Sequence, residues 1–196
     1  MIDLTAAKQR VADVQFIDYS ADLTPFLGGP TQTMRRIGKR HAITITMPPM
    51  EYEPEGRKWI ARILEAKQED GSVLYPQPHV TKSPLGNPTV TTETVGGRFL
   101  PDTGGVANAA IREGHPLNVI SAGRTFFYIA SEQTILDADG AGTIKLNVPL
   151  RKVASVGDAV ELTSPVIAGQ IEGDGWGWSI DANEPIVLSF TVKERE

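Results

Sequence analysis

Glycine and proline divide this chain into many short segments, and their spacing limits the fold more than any other feature of the sequence. The chain has 196 residues, of which 19 are glycine and 14 are proline. Because these residues interrupt helices and form turns, their density favours many short strands over long helices. A chain of this length can bury a substantial core without metals or disulfides, as one large domain or two small ones.

The composition argues against several classes of function. The chain has no cysteine, which removes disulfide scaffolds, thiolate metal sites and cysteine nucleophiles. Its net charge of −5 argues against a general nucleic-acid binder. No run of about 18 apolar residues is present, so we expect no membrane span. The first ten residues lack the pattern of a signal peptide, and we expect the chain to fold in a cytoplasm.

Alternation of apolar and polar residues predicts strands along most of the chain. It is clearest in two sets of apolar positions: Ile144, Leu146, Val148, Leu150 and Ile186, Leu188, Phe190, Val192. Further predicted strands or extended stretches are 14–19, 31–37, 41–47, 118–120, 125–130, 159–162 and 176–180. We expect 31–37 and 41–47 to form a hairpin around Gly38 and Lys39.

One helix is predicted near residues 54–67. Pro54 suits the first helical position, and the acidic residues Glu51, Glu53 and Glu55 suit the positive end of the helix dipole. An apolar stripe follows at Trp59, Ile60, Ile63 and Leu64. We expect the helix to stop before Gly71 and to lie on a sheet.

The prolines and glycines between residues 76 and 105 indicate a connection with short strands at most. Strand periodicity returns after this stretch. The sequence therefore predicts a discontinuous mainly β fold. Residues 1–85 plus 164–196 would form a β-sandwich-like scaffold with one α-helix, and 86–163 would form an inserted small β-barrel.

No local motif predicts catalysis, a cofactor or a metal. His41, His79 and His115 are far apart in sequence, and we expect all three to be structural or solvent-facing. Residues 137–142 resemble the start of a calcium loop, but Ala141 and Val148 stand at two ligand positions. A β-turn at Asp137 and Asp139 explains the same residues, and cation binding there is left open.

One short stretch of the chain is strongly basic, although the chain as a whole is acidic. Arg35, Arg36, Lys39 and Arg40 place four cations within six positions. A solvated hairpin tip, a contact with DNA and a contact with an acidic protein surface are the three interpretations. Of the last two we favour the protein neighbour, because the net charge would repel nucleic acid.

We expect that neighbour to be the next subunit or an adjoining ring of subunits. The acidic residues that could receive the basic ones are Glu51, Glu53 and Glu55. Together the two sets form a predicted inter-subunit interface. Trp176 and Trp178 are expected to lie in the core, with an interface role as the alternative.

Two stretches resemble structural proteins of long-tailed phage and prophage virions. One runs from Gly28 through Gly38 and Met47 to the helix ending at Lys67, and the other from Gly123 to Leu162. Size and layout are most similar to those of distal tail proteins. That resemblance implies a β-rich ring-forming domain with an inserted oligonucleotide/oligosaccharide-binding-like (OB-like) barrel, and a hexameric ring joining the tail tube to the tip hub.

The resemblance also implies assembly in the host cytoplasm, location in the virion tail, and no enzymatic activity. Its partners would be the tail tube protein, the hub protein and further copies of this chain, with DNA contact at most transient and no membrane. A tail-tube or head-to-tail connector subunit is the alternative within the virion. A carbohydrate-binding β module, using Trp176 and Trp178, and a hydrolase assembled only by the fold are alternatives of other classes.

Overall fold

A computed structural model describes residues 1–78, 80, 85–181 and 184–195. Over these residues the protein is mainly β with one α-helix, which confirms the predicted fold class. The helix, α1, spans Arg57–Glu69. In chain order the strands are β1 (Ile2–Asp3), β2 (Val11–Ile17), β3 (Ala21–Leu23), β4 (Gln32–Met34), β5 (Arg40–Thr46), β6 (Gly71–Leu74), β7 (Gly86–Val90), β8 (Phe99–Gly105), β9 (Ala110–Ile111), β10 (Pro116–Ser121), β11 (Arg124–Ile129), β12 (Thr134–Ile135), β13 (Gly142–Lys145), β14 (Ala159–Glu161), β15 (Val166–Ile171) and β16 (Ser189–Glu194).

The first sheet has the strand order β1-β6-β15-β16-β5-β2, and only the β1–β6 pair is parallel. Alternate residues of its strands point to one apolar face. On β5 and β16 the buried residues of that face are Ile43, Ile45, Phe190 and Val192. Helix α1 covers the β15–β6–β1 half of the same face, and its buried residues are Ile60, Ile63 and Ala66. The helix therefore lies on a sheet, as predicted.

The second sheet has the order β11-β10-β14-β7-β8-β13 and curls until its outer strands meet. Ala130, just after β11, bridges Leu146, just after β13. The Ser131 N–H donates to the Lys145 carbonyl at 2.8 Å, and the Asn147 N–H donates to the Ile129 carbonyl at 2.8 Å. These hydrogen bonds join the two edges of the sheet around an apolar interior.

Buried apolar side chains form two clusters, one under each sheet. Apart from Phe127, the first takes its members from residues 4–73 and 167–192, and the second takes its members from residues 85–162. Strand β11 contributes to both, because Phe127 joins the first cluster while Phe126 and Tyr128 join the second. Its two faces are therefore both buried, and β11 is a wall shared by the two cores. The predicted boundaries of an inserted domain, 86 and 163, stay a prediction.

Helix α1 begins at Arg57, three residues after Pro54, the predicted first helical position. An irregular turn, Tyr52–Gly56, precedes it, with Glu53 in extended conformation (φ −116°, ψ 130°) and a cis Glu53–Pro54 peptide. The chain enters this turn from Met50, which bridges Ile186 beside the first sheet. The predicted stop before Gly71 is confirmed.

The predicted hairpin of 31–37 with 41–47 is also wrong. Strand β4 pairs with β3, and β5 pairs with β2 and β16. Gly38 lies at φ +117° between β4 and β5. The chain therefore leaves one sheet and enters another at this point. Strand β5 instead lies inside the first sheet, where Ile43 and Ile45 on its apolar face join the first cluster.

Two further expectations are corrected. Residues 176–180 form no strand. The stretch 76–105 contains more than short strands, since β8 has seven residues. Pro101 lies within β8, and its carbonyl accepts a hydrogen bond from the Thr91 N–H, 3.0 Å away. By contrast, the predicted alternation at 144–150 and 186–192 is confirmed by burial.

Gly169 offers a direct test of the β15–β16 pairing. A Cβ added at residue 169 would lie 2.0 Å from the Lys193 carbonyl oxygen. We expect Gly169→Ala to lower the free energy of unfolding by about 2 kcal/mol or more, because backbone would have to move. Gly175→Ala is the control, since nothing lies within 4 Å of its added Cβ. Urea unfolding of both variants measures the difference, and equal midpoints would contradict the packing described.

Candidate functional site

Residues 18–38, which we call the arm, form a hairpin that stands apart from both cores. Strand β3 pairs with β4 through Ala21–Met34, Asp22–Thr33 and Leu23–Gln32. Every residue from 22 to 37 is exposed. A two-stranded hairpin without a packed face is marginally stable alone. Its exposure makes the arm the candidate interaction surface of the described chain.

The tip of the arm is apolar. Phe26 is fully exposed and Leu27 is 92% exposed. Leu23, Met34 and Ile37 add further exposed apolar surface along the arm. Exposed apolar residues are ordinary when scattered, but a contiguous group of large ones marks an interaction site.

Strand β2, which leads into the arm, extends this surface. It is the outermost strand of the first sheet, and no strand within the described ranges pairs with its outer edge. Val14 and Phe16 share a face with the buried Ile43 and His41, yet both are substantially exposed. An open strand edge offers backbone donors and acceptors to another chain. The apolar face of the core thus continues uncovered into β2 and the arm.

The structure places the predicted basic residues at the base of the arm. Arg35 and Arg36 are exposed. Lys39 pairs with Asp18 at 2.8 Å, and the Arg40 guanidinium lies over the Tyr19 ring at 5.4 Å. The salt bridge, together with the Ser20 N–H bond, holds the pKa of the Asp18 carboxyl at about 2. Arg35 and Arg36 are thus the two cations of this set most open to a neighbour.

The predicted acidic residues lie at the opposite end of β5. Glu51, Glu53 and Glu55 are exposed in or beside the turn before α1. Glu53 forms a salt bridge with Arg57 at 2.8 Å. The structure therefore does not bring the acidic set and the basic set together within one copy. A contact between them in neighbouring copies stays a prediction.

Sequence reasoning missed the tip of the arm. The signal was present: Phe26 and Leu27 stand between Pro25 and Gly28, in a position where a turn exposes its side chains. The expectation that Trp176 and Trp178 lie in the core holds for Trp176, which packs against the first core, but not for Trp178. Their rings lie 5.3 Å apart, the Trp176 indole N–H donates to the Ser189 carbonyl, and Trp178 is 37% exposed. Trp176 packs against the first core, whereas Trp178 faces outward.

A buried ion network joins the two sheets. The Glu194 carboxylate, at the end of β16, accepts hydrogen bonds from the His41 N–H at 2.7 Å and the Phe127 N–H at 2.9 Å. Arg151 Nη2 donates to the same carboxylate at 2.6 Å. The Arg151 guanidinium lies over the rings of Phe126 and Tyr128. One carboxylate therefore ties β16 and β5 of the first sheet to β11 of the second.

The electrostatics of this network favour the ionised pair. Burial works to raise the pKa of Glu194, but the His41 ring and the Arg151 charge outweigh it, so the pKa lies below its usual range. Burial likewise works to lower the pKa of Arg151, and the Glu194 charge raises it above its ordinary value. Burial raises the pKa of Tyr128, whose hydroxyl accepts a hydrogen bond from the Arg151 N–H at 3.0 Å.

Asp102 is a second buried carboxylate, on β8. It is only 1% exposed, and neither of its carboxylate oxygens has a hydrogen-bond partner among the described residues. It shares a face of β8 with Leu100, which lies in the second core. Burial raises the pKa of Asp102 to about 6. Unlike Glu194, this group is stabilised in its neutral form.

The remaining polar candidates have structural partners. His41 is buried beside Glu194, with Nδ1 3.4 Å from Oε2, and His115 Nε2 lies 2.8 Å from the Leu162 carbonyl. His79 lies outside the described residues. Asp137 Oδ1 accepts the N–H groups of Asp139 and Ala141, as in an Asx-type turn. The described part of the chain holds no group of three or more side chains placed to bind a metal.

No family model matches the chain, and no curated protein matches it either. Among the described residues, no helix is both long enough and apolar enough to cross a bilayer.

The ion network predicts strong coupling between Arg151 and Glu194. Either Arg151→Met or Glu194→Met leaves one buried charge unpaired, and we expect each to lower the free energy of unfolding by about 3–5 kcal/mol. The double variant leaves no unpaired charge, so its loss is expected to be much smaller than the sum of the two. Lys145→Met, which breaks the more exposed pair with Glu132, is the control and should cost no more than about 1 kcal/mol. Additive losses in urea unfolding would contradict the coupling.

Asp102 predicts a pH dependence of the opposite sign to that of Glu194. The pKa of Asp102 is higher in the folded chain than in the unfolded chain. The free energy of unfolding therefore falls as pH rises from about 4 through 6, and the cost of burying the ionised carboxylate is complete above that range. With a pKa raised from 3.8 to about 6, Asp102→Asn should gain about 3 kcal/mol over the natural chain at pH 8 and little at pH 3.5. The exposed Asp139→Asn is the control. Thermal unfolding across pH would contradict the assignment if the gain at pH 8 were absent.

Proposed function

We propose that this chain is a structural subunit of a phage tail that assembles into a ring joining the tail tube to the tail-tip hub. The observation that carries the proposal is the exposed arm beside the open edge of β2. Subunits of rings need two complementary surfaces that are not used within one copy. An apolar hairpin and an unpaired strand edge are surfaces of that kind.

The buried architecture supports this role. The network at Glu194 and the shared strand β11 join the first sheet to the curled sheet, so the arm projects from a body with a fixed shape. A ring subunit transmits contacts from one neighbour to the next, which requires such a body. The resemblance to distal tail proteins adds three finer proposals. They are a hexamer, an OB-like fold for the curled sheet, and location in the virion after assembly in the host cytoplasm. The role needs neither a catalytic residue nor a cofactor.

The partners proposed are further copies of this chain, the tube protein above the ring and the hub protein below it. A tail-tube or connector subunit remains the second candidate, since it would use the same open strand edge. The ring subunit and the tube subunit differ in where their assembly stops. A tube subunit stacks without limit, whereas a ring between tube and hub stops at one ring until its partners bind.

The test is the assembly state of the purified chain and of a variant at the arm tip. Mass photometry and negative-stain imaging should show closed rings for the natural chain. Phe26→Ser/Leu27→Ser should remain monomeric with an unchanged melting temperature, because both side chains lie outside the cores. Val95→Ser/Ile135→Ser, which removes exposed apolar residues elsewhere, should still form rings.

Other outcomes overturn the proposal. Long stacked tubes would favour the tube subunit. A strict monomer at high concentration would exclude ring formation by the chain alone, and a monomer that binds oligosaccharide would favour the carbohydrate module. Rings that persist in the arm-tip variant would remove the observation on which the proposal stands.

A further inference from the structure

A small two-stranded sheet lies against the curled sheet. Residues 106–112 and 132–141, which we call the cap, contain β9 and β12, and these strands pair only with each other among the described strands. Two buried side chains of the cap, Ile111 and Leu136, join the second core. Ile135, between them and solvent, is 65% exposed. The cap is therefore a thin cover over part of the interior of the curled sheet.

Gly142 shows how close the cap lies to the buried carboxylate of Asp102. Gly142 on β13 pairs with Asp102 on β8. A Cβ added at residue 142 would lie 2.6 Å from Leu136 Cδ2, 3.4 Å from Thr134 Cγ2 and 3.6 Å from Asp102 Oδ1. Two side chains of the cap therefore lie within one side chain's width of the carboxylate.

The carboxylate has no compensating partner in this place. Asp102 is 1% exposed, and neither of its oxygens has a hydrogen-bond partner among the described residues. Its strand neighbours, Val90 on β7 and Gly142 on β13, have no side-chain donor. Tyr128, in the second core, is bonded to the Arg151 N–H instead. Burying an ionised carboxylate without a partner is costly, so the closed cap favours the neutral form.

The charged groups of the cap and of the neighbouring strand β13 are engaged elsewhere. Lys145 on β13 pairs with Glu132 of the cap at 2.7 Å. Asp137 accepts two N–H groups of its own turn, and Arg112 and Asp139 are exposed. Strands β7 and β8 carry no other charged residue. Burial is accordingly what raises the pKa of the β8 carboxyl, without a contribution from a charged neighbour in the described chain.

We propose that the cap is a pH-controlled cover, which opens when Asp102 ionises. The ionised carboxylate gains contact with water only if the cap lifts. Because the proton is held more tightly under the closed cap than in water, opening becomes more favourable as pH rises from about 4 through 6. Lifting the cap withdraws only Ile111 and Leu136 from the second core, so it exposes far less surface than unfolding the curled sheet. This inference does not depend on the proposed ring.

Hydrogen–deuterium exchange followed by NMR tests the opening. The Gly105 N–H donates to the Gly140 carbonyl, and the Val106 N–H donates to the Leu85 carbonyl, each at 3.0 Å. Both bonds join the cap to the curled sheet. After correction for the intrinsic pH dependence of exchange, the protection of both amides should fall roughly tenfold or more between pH 4.5 and pH 7.5.

Two matched variants assign the effect to one carboxyl. Asp102→Asn cannot ionise, so the protection of the two amides should stay nearly constant over the same pH range. Asp139→Asn removes an exposed carboxyl of the cap and should keep the fall seen in the natural chain. A fall that persists in Asp102→Asn would overturn the proposal.

Urea separates opening of the cap from unfolding of the whole chain. Opening exposes little surface, so exchange at Gly105 and Val106 should respond weakly to low concentrations of urea. The Met47 N–H, which donates to the Leu188 carbonyl at 2.9 Å beside the first sheet, should respond steeply. If all three amides show the same urea dependence, they exchange through global unfolding and the cap does not open by itself.

Gly142→Ala gives a further test that keeps the carboxyl in place. Its methyl group would press on Leu136, so the cap should lose protection already at pH 4.5. The midpoint of the Asp102 carboxyl titration, measured by carbon-13 NMR, should then fall from about 6 towards its ordinary value. Gly175→Ala, with nothing within 4 Å of the added Cβ, should leave the midpoint unchanged. An opened cap with an unchanged midpoint would show that the cap does not shield Asp102.

Discussion

The buried carboxylate of Glu194 is the interaction on which the rest of the structure depends. A charge removed from water is costly unless it is paired and fully hydrogen-bonded. Glu194 meets that condition only because groups from both sheets surround it: the His41 N–H, the Phe127 N–H and Arg151. Separating the sheets would expose or strand this charge. The two sheets are therefore held in one geometry.

That geometry decides which apolar surface is buried and which is left open. Strand β11 has both faces covered, and the helix covers half of the first sheet. The helix does not reach β2, where Val14 and Phe16 lie on the same face as the core residues but are exposed to solvent. The arm continues that surface outward. The exposed apolar residues are thus an extension of the core that a single copy leaves uncovered.

Part of this account could be predicted from sequence because strand periodicity is local. Alternation placed Ile144 to Leu150 and Ile186 to Val192 on buried faces, and burial confirms both. Strand pairing is not local: β4 follows the pattern of a strand, but nothing in its residues says that its partner is β3 rather than β5.

The buried charges could not be predicted from sequence, because their partners are also distant along the chain. Arg151 and Glu194 are 43 residues apart, and a single aspartate such as Asp102 carries no mark of burial. The basic cluster could be recognised from sequence, because Arg35, Arg36, Lys39 and Arg40 lie within six positions, but the salt bridge of Lys39 with Asp18 could not.

Hydrogen–deuterium exchange of the natural chain, compared between dilute monomer and assembled state, tests the central claim most directly. That claim is that the arm is the surface completed by a neighbour while the body stays fixed. The amides of residues 21–34 should exchange rapidly in the monomer and become protected on assembly, and those of β5 and β16 should be protected in both. Unchanged exchange in the arm of an assembled ring would contradict the claim.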